Sequence, residues 1–174
     1  MEVQVCAREL IKTFQLMQLP GKPYPILLIM FVLIRHAGYH MMNGSLTPDG
    51  IAVAKELAQK LRNFGIPWKG IWTSPTTRTQ ETALVISKEL QIAMHIEERV
   101  GMDGNVVDLL PPAELNGKII ISHLPVLTKI LRIWSRAFHL DEPPLIEMGH
   151  GYLVDPENHK IQSLSDSRVS GSPL

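Results

Sequence analysis

Between Ile26 and Ile34 the chain is unbroken apolar sequence, and it ends abruptly in Arg35 and His36. The run is far shorter than the roughly 20 residues a membrane-spanning helix needs. Its β-branched members predict a strand buried on both faces, with the Arg-His pair at the carboxyl end. After a polar, glycine-bearing loop, Thr47-Pro48-Asp49-Gly50 opens a helix with Thr47 as N-cap and Pro48 at the first position. Ile51, Ala54, Leu57, Ala58, Leu61 and Phe64 form its inward face, and Gly65 is a C-terminal stop. Lys69 to Thr73 reads as a second short strand, which makes the helix a crossover and predicts two parallel strands.

The same grammar continues. Ser74 and Pro75 read as the N-cap and first residue of a helix that runs toward Gln91, Ala93 to Ile96 as a third strand, and Asn105 to Leu110 as a helical turn halted by Pro111-Pro112. Lys118 to Ser122 is a further buried strand that delivers His123, and Pro125 starts a helix whose core stripe is Val126, Ile130, Leu131 and Trp134. Gly151 to Val154 and Lys160 to Leu164 read as short strands joined by a turn at Asp155 to Asn158. Strands alternating with helices predict an α/β fold with a mostly parallel central sheet. The boundaries that follow are an N-terminal extension over 1–25, with Ala7, Leu10, Ile11, Phe14 and Met17 at the spacing of a short amphipathic helix, a domain over 26–164 and a polar, disordered tail over 165–174.

Composition narrows the function classes. With 45% hydrophobic and 20% charged residues in a chain of 174, one soluble domain can bury roughly 70% of its unfolded surface and needs no staples. Lys plus Arg equals Asp plus Glu at 17 each, so no net charge points to nucleic acid or to an anionic membrane, and any anion site must be local. Cys6 is the single cysteine, which excludes an internal disulfide and fits a reducing, cytoplasmic setting. No Cys/His cluster has zinc-ligand spacing: His36 and His40 are separated by Gly38, which argues against the helix that spacing requires. His95, His139, His150 and His159 have no partners at useful spacing and read as surface or structural.

The candidate chemistry lies at the strand ends. Arg78 falls in the first turn of its helix, where the macrodipole disfavours a cation and a bound anion would relieve it. A parallel sheet brings His36, Arg78 and His123 to one edge with Arg35, and two arginines with two histidines make a dianion pocket. No phosphate-binding loop ending in Gly-Lys-Ser/Thr and no carboxylate cluster for magnesium is present, so side chains must neutralise a phosphoryl group without metal or cofactor. A neutral imidazole can then attack phosphorus, provided one ring nitrogen is held as N–H and the other is free.

Leu33-Ile34-Arg35-His36-Ala37, Ser74 to Thr82 and Ser122-His123-Leu124-Pro125 resemble the three signature stretches of the histidine phosphatase superfamily. The resemblance covers about Met30 to Val154 and implies the phosphoglycerate-mutase-like fold, a three-layer α/β/α sandwich. It implies that His36 is the phosphorylated nucleophile and that Arg35, Arg78 and His123 form the phosphate pocket. Leu46-Thr47-Pro48-Asp49-Gly50, the Ser-His-Leu-Pro form and the short chain resemble the SixA-type branch, whose members act on phosphohistidine in phosphorelay proteins and manage without a carboxylic acid. In larger members the proton donor is a glutamate after the third strand, and Glu98 matches that position, with Glu97 and Asp103 as alternatives. Gly38 departs from the family, standing where an acidic residue often follows the motif, and Asn43 aligns loosely with a phosphate-binding asparagine of the mutase branch. The reading is a metal-independent phosphatase acting through phosphohistidine, with a phosphohistidine protein as substrate. Its alternatives are a small-molecule phosphomonoesterase and a catalytically silent phospho-ligand-binding module.

Overall fold

Apolar alternation along the central strands places side chains on two faces of one sheet, and each face is covered by helices. The computed structural model describes residues 29–106 and 112–166. The amphipathic segment from Ala7 to Met17, the tail from 167 onward and most of the turn predicted over Asn105 to Leu110 lie outside the described residues. The strands are β1 (Phe31–Arg35), β2 (Gly70–Thr73), β3 (Met94–Ile96), β4 (Lys118–Ser122), β5 (Gly151–Asp155) and β6 (Lys160–Ser163). The helices are α1 (Pro48–Asn63), α2 (Thr77–Leu90), α3 (Pro112–Leu115) and α4 (Leu124–Phe138). The sheet order is β3-β2-β4-β1-β5-β6. Its β3-β2, β2-β4 and β4-β1 pairs are parallel, and β5 and β6 are an antiparallel addition. The predicted α/β class with a mostly parallel sheet is observed, with β4 inserted between β1 and β2.

Val32 and Ile34 point into a cluster with Leu57, Leu61, Ile86, Ile119 and Ile121, so α1 and α2 cover that face. Phe31 and Leu33 pack on the other face with Ile120, Leu127, Ile130 and Trp134 of α4. This gives the three layers α/β/α. Phe31 to Ile34 are fully buried, as a doubly covered strand requires. Among the described residues no helix is long and apolar enough to cross a membrane.

Local chemistry sets the element boundaries and corrects several expectations. The Thr47 hydroxyl caps α1 by accepting from Gly50 N at 3.0 Å, as its position before Pro48 predicts. The inward face of α1 begins at Gly50 rather than Ile51, which is 39% exposed. The reason is a backbone contact: a Cβ on Gly50 would lie 2.1 Å from Gly38 O, so the helix seats its glycine directly on the loop after β1. α2 begins two residues later than predicted, with Thr76 as N-cap, because Ser74 and its hydroxyl are drawn into the sheet edge. Pro112 opens α3, in keeping with its preset φ at a first helical position. β1 starts at Phe31; the part of the predicted strand before Ile29 is outside the described residues.

Candidate active site

The register aligns the carboxyl ends of three neighbouring strands. Arg35 pairs with Ser122, and both Ile34 and Thr73 pair with Ile121. The ladder runs one residue further, through His36 N to Ser122 O at 3.2 Å and Ser74 N to Ile121 O at 3.1 Å. His36, His123 and Ser74 therefore leave adjacent strands at one height, at the edge where open α/β sheets bind ligands.

The side chains converge there as the sequence predicts for Arg35, His36, Arg78 and His123. The two imidazoles lie 5.4 Å apart between ring centres and are almost fully buried. His36 Nδ1 is 3.0 Å from Ala37 O; a carbonyl only accepts, so Nδ1 carries the proton and Nε2 keeps its lone pair. Arg78 Nε donates to that nitrogen at 3.3 Å, and its Nη2 donates to His123 Nδ1 at 3.2 Å. The first turn of α2 holds no acidic residue, so this guanidinium adds to the positive end of the helix dipole. Arg35 is tied by Nη1 to Ile146 O at 3.0 Å, whereas its buried Nε has no hydrogen-bond partner among the described residues. Leaving such a donor unsatisfied costs about 1–3 kcal/mol, which an anionic oxygen would recover.

Electrostatics keeps both imidazoles neutral. Burial lowers His36 below its ordinary 6.5, with the Arg78 and Arg35 charges adding to burial and the Ala37 hydrogen bond opposing it. Burial first, then Arg78, His36 and Arg35, push His123 down to about 4. Neutral His36 is the form with a nucleophilic lone pair.

Three residues that sequence reasoning did not single out complete the site. Thr82 Oγ1 accepts from Ala37 N at 3.1 Å and donates to Arg78 O at 2.7 Å, joining the loop after His36 to the helix that carries Arg78. Ser74 Oγ lies 2.9 Å from His123 Nε2. The Tyr39 ring meets His36 edge-on at 5.1 Å, and the Arg78 guanidinium sits 5.0 Å over its face. Ser74 and Thr82 stand inside a recognised stretch, where the spacing of a hydroxyl from Arg78 was a usable signal. Tyr39 offered none.

The remaining candidates lie elsewhere. Asn43 is exposed and its Oδ1 accepts from Ser45 N at 3.1 Å, shaping its own turn. Glu98 is exposed in a single 3₁₀ turn and lines a cleft of about 300 Å³ with Pro75, Met102, Asp103 and Asn105. That turn is held against β4 by Ser122 Oγ, which donates to Val100 O at 2.6 Å. Glu97 is bound through both oxygens by Arg99 at 2.8–2.9 Å, and this hydrogen bonding holds its carboxyl below the usual range. An ionised, paired carboxylate is no proton donor, which leaves Glu98 and Asp103 on the cleft. No group of three or more His, Cys, Asp or Glu among the described residues is arranged to hold a metal ion.

Residues 31–101 match the model of the histidine phosphatase superfamily, branch 1. No curated protein sequence matches the chain. Among solved structures, the chain is similar to the protein histidine phosphatase SixA complexed with tungstate, at 15% identity and a TM-score of 0.61, over 79% of this chain and 98% of that one. It is also similar to a phosphoglycerate mutase from Plasmodium falciparum, at 20% identity and a TM-score of 0.51, over 83% and 94% of the two chains. A mycobacterial glucosyl-3-phosphoglycerate phosphatase with inorganic phosphate is similar at 12% identity and a TM-score of 0.50, over 77% and 94%. Residues 31–101 thus match the histidine phosphatase superfamily, and the described chain has the phosphoglycerate-mutase-like fold of its structural neighbours.

Proposed function

We propose that this protein is a metal-independent phosphatase in which His36 is transiently phosphorylated, and that its substrate is phosphohistidine on a protein. His36 Nε2 attacks phosphorus and forms an N–P bond as the bond to the leaving group breaks. Water then attacks the same phosphorus, the N–P bond breaks, and inorganic phosphate leaves with His36 neutral again. Arg35, Arg78 and His123 bind the phosphoryl oxygens, and the two guanidiniums supply the charge that a metal supplies in other phosphoryl-transfer sites.

The observation that carries this reading is the hydrogen bond from His36 Nδ1 to Ala37 O, since it leaves the Nε2 lone pair free, facing Arg78 Nε at 3.3 Å. The protein substrate draws on the SixA likeness and on the turn after the nucleophile's loop. There Met41 and Met42 are 87% and 101% exposed. Large, adaptable apolar side chains suit a protein surface better than a hydrated sugar phosphate. Glu98 and Asp103 on the cleft beside Pro75 favour a second reading, a phosphomonoesterase with a carboxylic acid beside the leaving oxygen. Asn43 would join the phosphate pocket only if its turn opened.

The test is hydrolysis by the purified protein, after exhaustive EDTA treatment, of a phosphohistidine peptide, an alkyl phosphate and an aryl phosphate. Turnover of the peptide above the other two is expected. Activity on none, with tungstate still bound, would leave a silent phospho-ligand-binding module in place of an enzyme. Activity lost with EDTA and restored by magnesium or zinc would contradict metal independence.

A further inference from the structure

His123 has a guanidinium on one ring nitrogen and hydroxyls on the other. Arg78 can only donate, so its 3.2 Å contact makes Nδ1 a bare lone pair. The single proton of the neutral ring is therefore on Nε2, facing Ser74 Oγ at 2.9 Å and Thr76 Oγ1 at 3.4 Å. The two hydroxyls are not equivalent. Thr79 gives its hydroxyl proton to a backbone carbonyl, Ser74 O at 2.7 Å or Thr76 O at 2.8 Å. Thr79 Oγ1 then accepts from Thr76 Oγ1 at 3.0 Å, and Thr76 is left as an acceptor toward His123. Ser74 Oγ has no other hydrogen bond among the described residues. It is fully buried and can turn to accept or to donate.

Phosphate changes what Nδ1 must do. An incoming dianion draws the Arg78 donors to its own oxygens, and a lone pair on Nδ1 would then face oxygen lone pairs. The ring can gain a second proton and become cationic beside Arg35 and Arg78, or it can exchange tautomers and stay neutral. Burial and the two guanidiniums, which push His123 down to about 4, oppose the cation.

We propose that Ser74 is a positioning residue that allows His123 to exchange tautomers. With Arg78 on Nδ1, His123 donates from Nε2 to Ser74; with phosphate bound, His123 donates from Nδ1 to a phosphate oxygen and Ser74 donates to Nε2. Nδ1 takes a proton from the bound oxyanion or from solvent, Nε2 releases its own to solvent, and the ring's proton count is unchanged; where the proton came from the oxyanion, the net change is one proton passed from it to solvent. The proposal rests on the phosphate-site reading above and adds the means by which a buried neutral histidine serves both arginine and phosphate.

The direct test is ¹⁵N NMR of the histidine rings in the full-length protein, free and with tungstate. Free protein is expected to show His123 protonated on Nε2 alone, and the tungstate complex on Nδ1 alone, with His36 on Nδ1 in the free form. Ser74→Ala is expected to weaken tungstate binding roughly tenfold, the worth of about one hydrogen bond, with Ser74→Thr restoring most of it. A doubly protonated His123 in the complex, or an unchanged tautomer, overturns the proposal while leaving the phosphate site intact. If tungstate moves neither His36 nor His123 resonances, the phosphate site itself is wrong and the proposal falls with it. The wild-type spectra decide the matter even if the alanine variant does not fold.

Discussion

Arg78 Nε donates directly to Nε2 of His36 at 3.3 Å, so the arginine holds the nitrogen proposed as the nucleophile. When phosphate enters, the fork must turn from the two imidazoles to the phosphoryl oxygens. Arg78→Lys keeps the charge and loses the fork, and the loss of such a preorganised donor is expected to raise the barrier by roughly 2–4 kcal/mol. Steady-state kcat/KM checks this, and a lysine variant within threefold of wild type would show that charge alone suffices.

The lowered His36 and His123 values fix the direction of two pH effects. The proposed attack needs neutral His36, so kcat/KM for the free protein should stay level as pH falls to about 6.5 and decline only below it. For stability, unfolded histidines take up protons near 6.5 while the folded ones resist. Stability is therefore fully present above about 6.5 and is lost as pH falls from there toward about 4. Urea midpoints across that range check the sign, and His123→Asn should flatten the slope.

Glu98 separates the two substrate classes. An alkyl phosphate expels a strongly basic alkoxide, and loss of a positioned acid costs about 10²- to 10⁴-fold, whereas phosphohistidine expels a far weaker base. Glu98→Gln is expected to leave phosphohistidine hydrolysis within a few-fold of wild type. A hundredfold loss on phosphohistidine would instead make Glu98 essential to it, and an unchanged rate on alkyl phosphates would dismiss Glu98 as the acid for either class.

Gly50 tests how α1 is seated. Any Cβ there would press on Gly38 O, and Gly38 O also accepts from Thr47 N at 3.1 Å. Gly50→Ala should destabilise the fold by about 1–3 kcal/mol through overpacking, despite alanine's better helix propensity. Thermal or urea denaturation reads the change, and a stabilised variant would contradict the contact.

The strands and helices with strong local signals were legible in the sequence: β1 and β4 as apolar runs ending in histidine, α1 by its Thr-Pro start, and α4 by its apolar stripe. The convergence of Arg35, His36, Arg78 and His123 was legible because a parallel sheet leaves few alternatives for strand-end residues. What failed was tertiary in origin. Ser74 looks like an N-cap beside Pro75, yet it serves His123 across the sheet edge, and Thr76 caps the helix in its place. Ile51 fits an inward stripe, but in the first turn Gly50 is seated on Gly38 in its place, whereas Ala54, Leu57, Ala58 and Leu61 face inward as predicted. Tyr39 and the pairing of Glu97 with Arg99 depend on packing and rotamers that no spacing rule encodes.

In the proposed mechanism phosphate is carried on His36. Rapid-quench mixing of the protein with ³²P-labelled substrate should trap an acid-labile, base-stable phosphoenzyme that maps to the peptide containing His36 and forms at least as fast as turnover. His36→Ala should remove the label and the activity while keeping a wild-type circular dichroism spectrum. Label on another residue, or full activity in His36→Ala, would contradict the account.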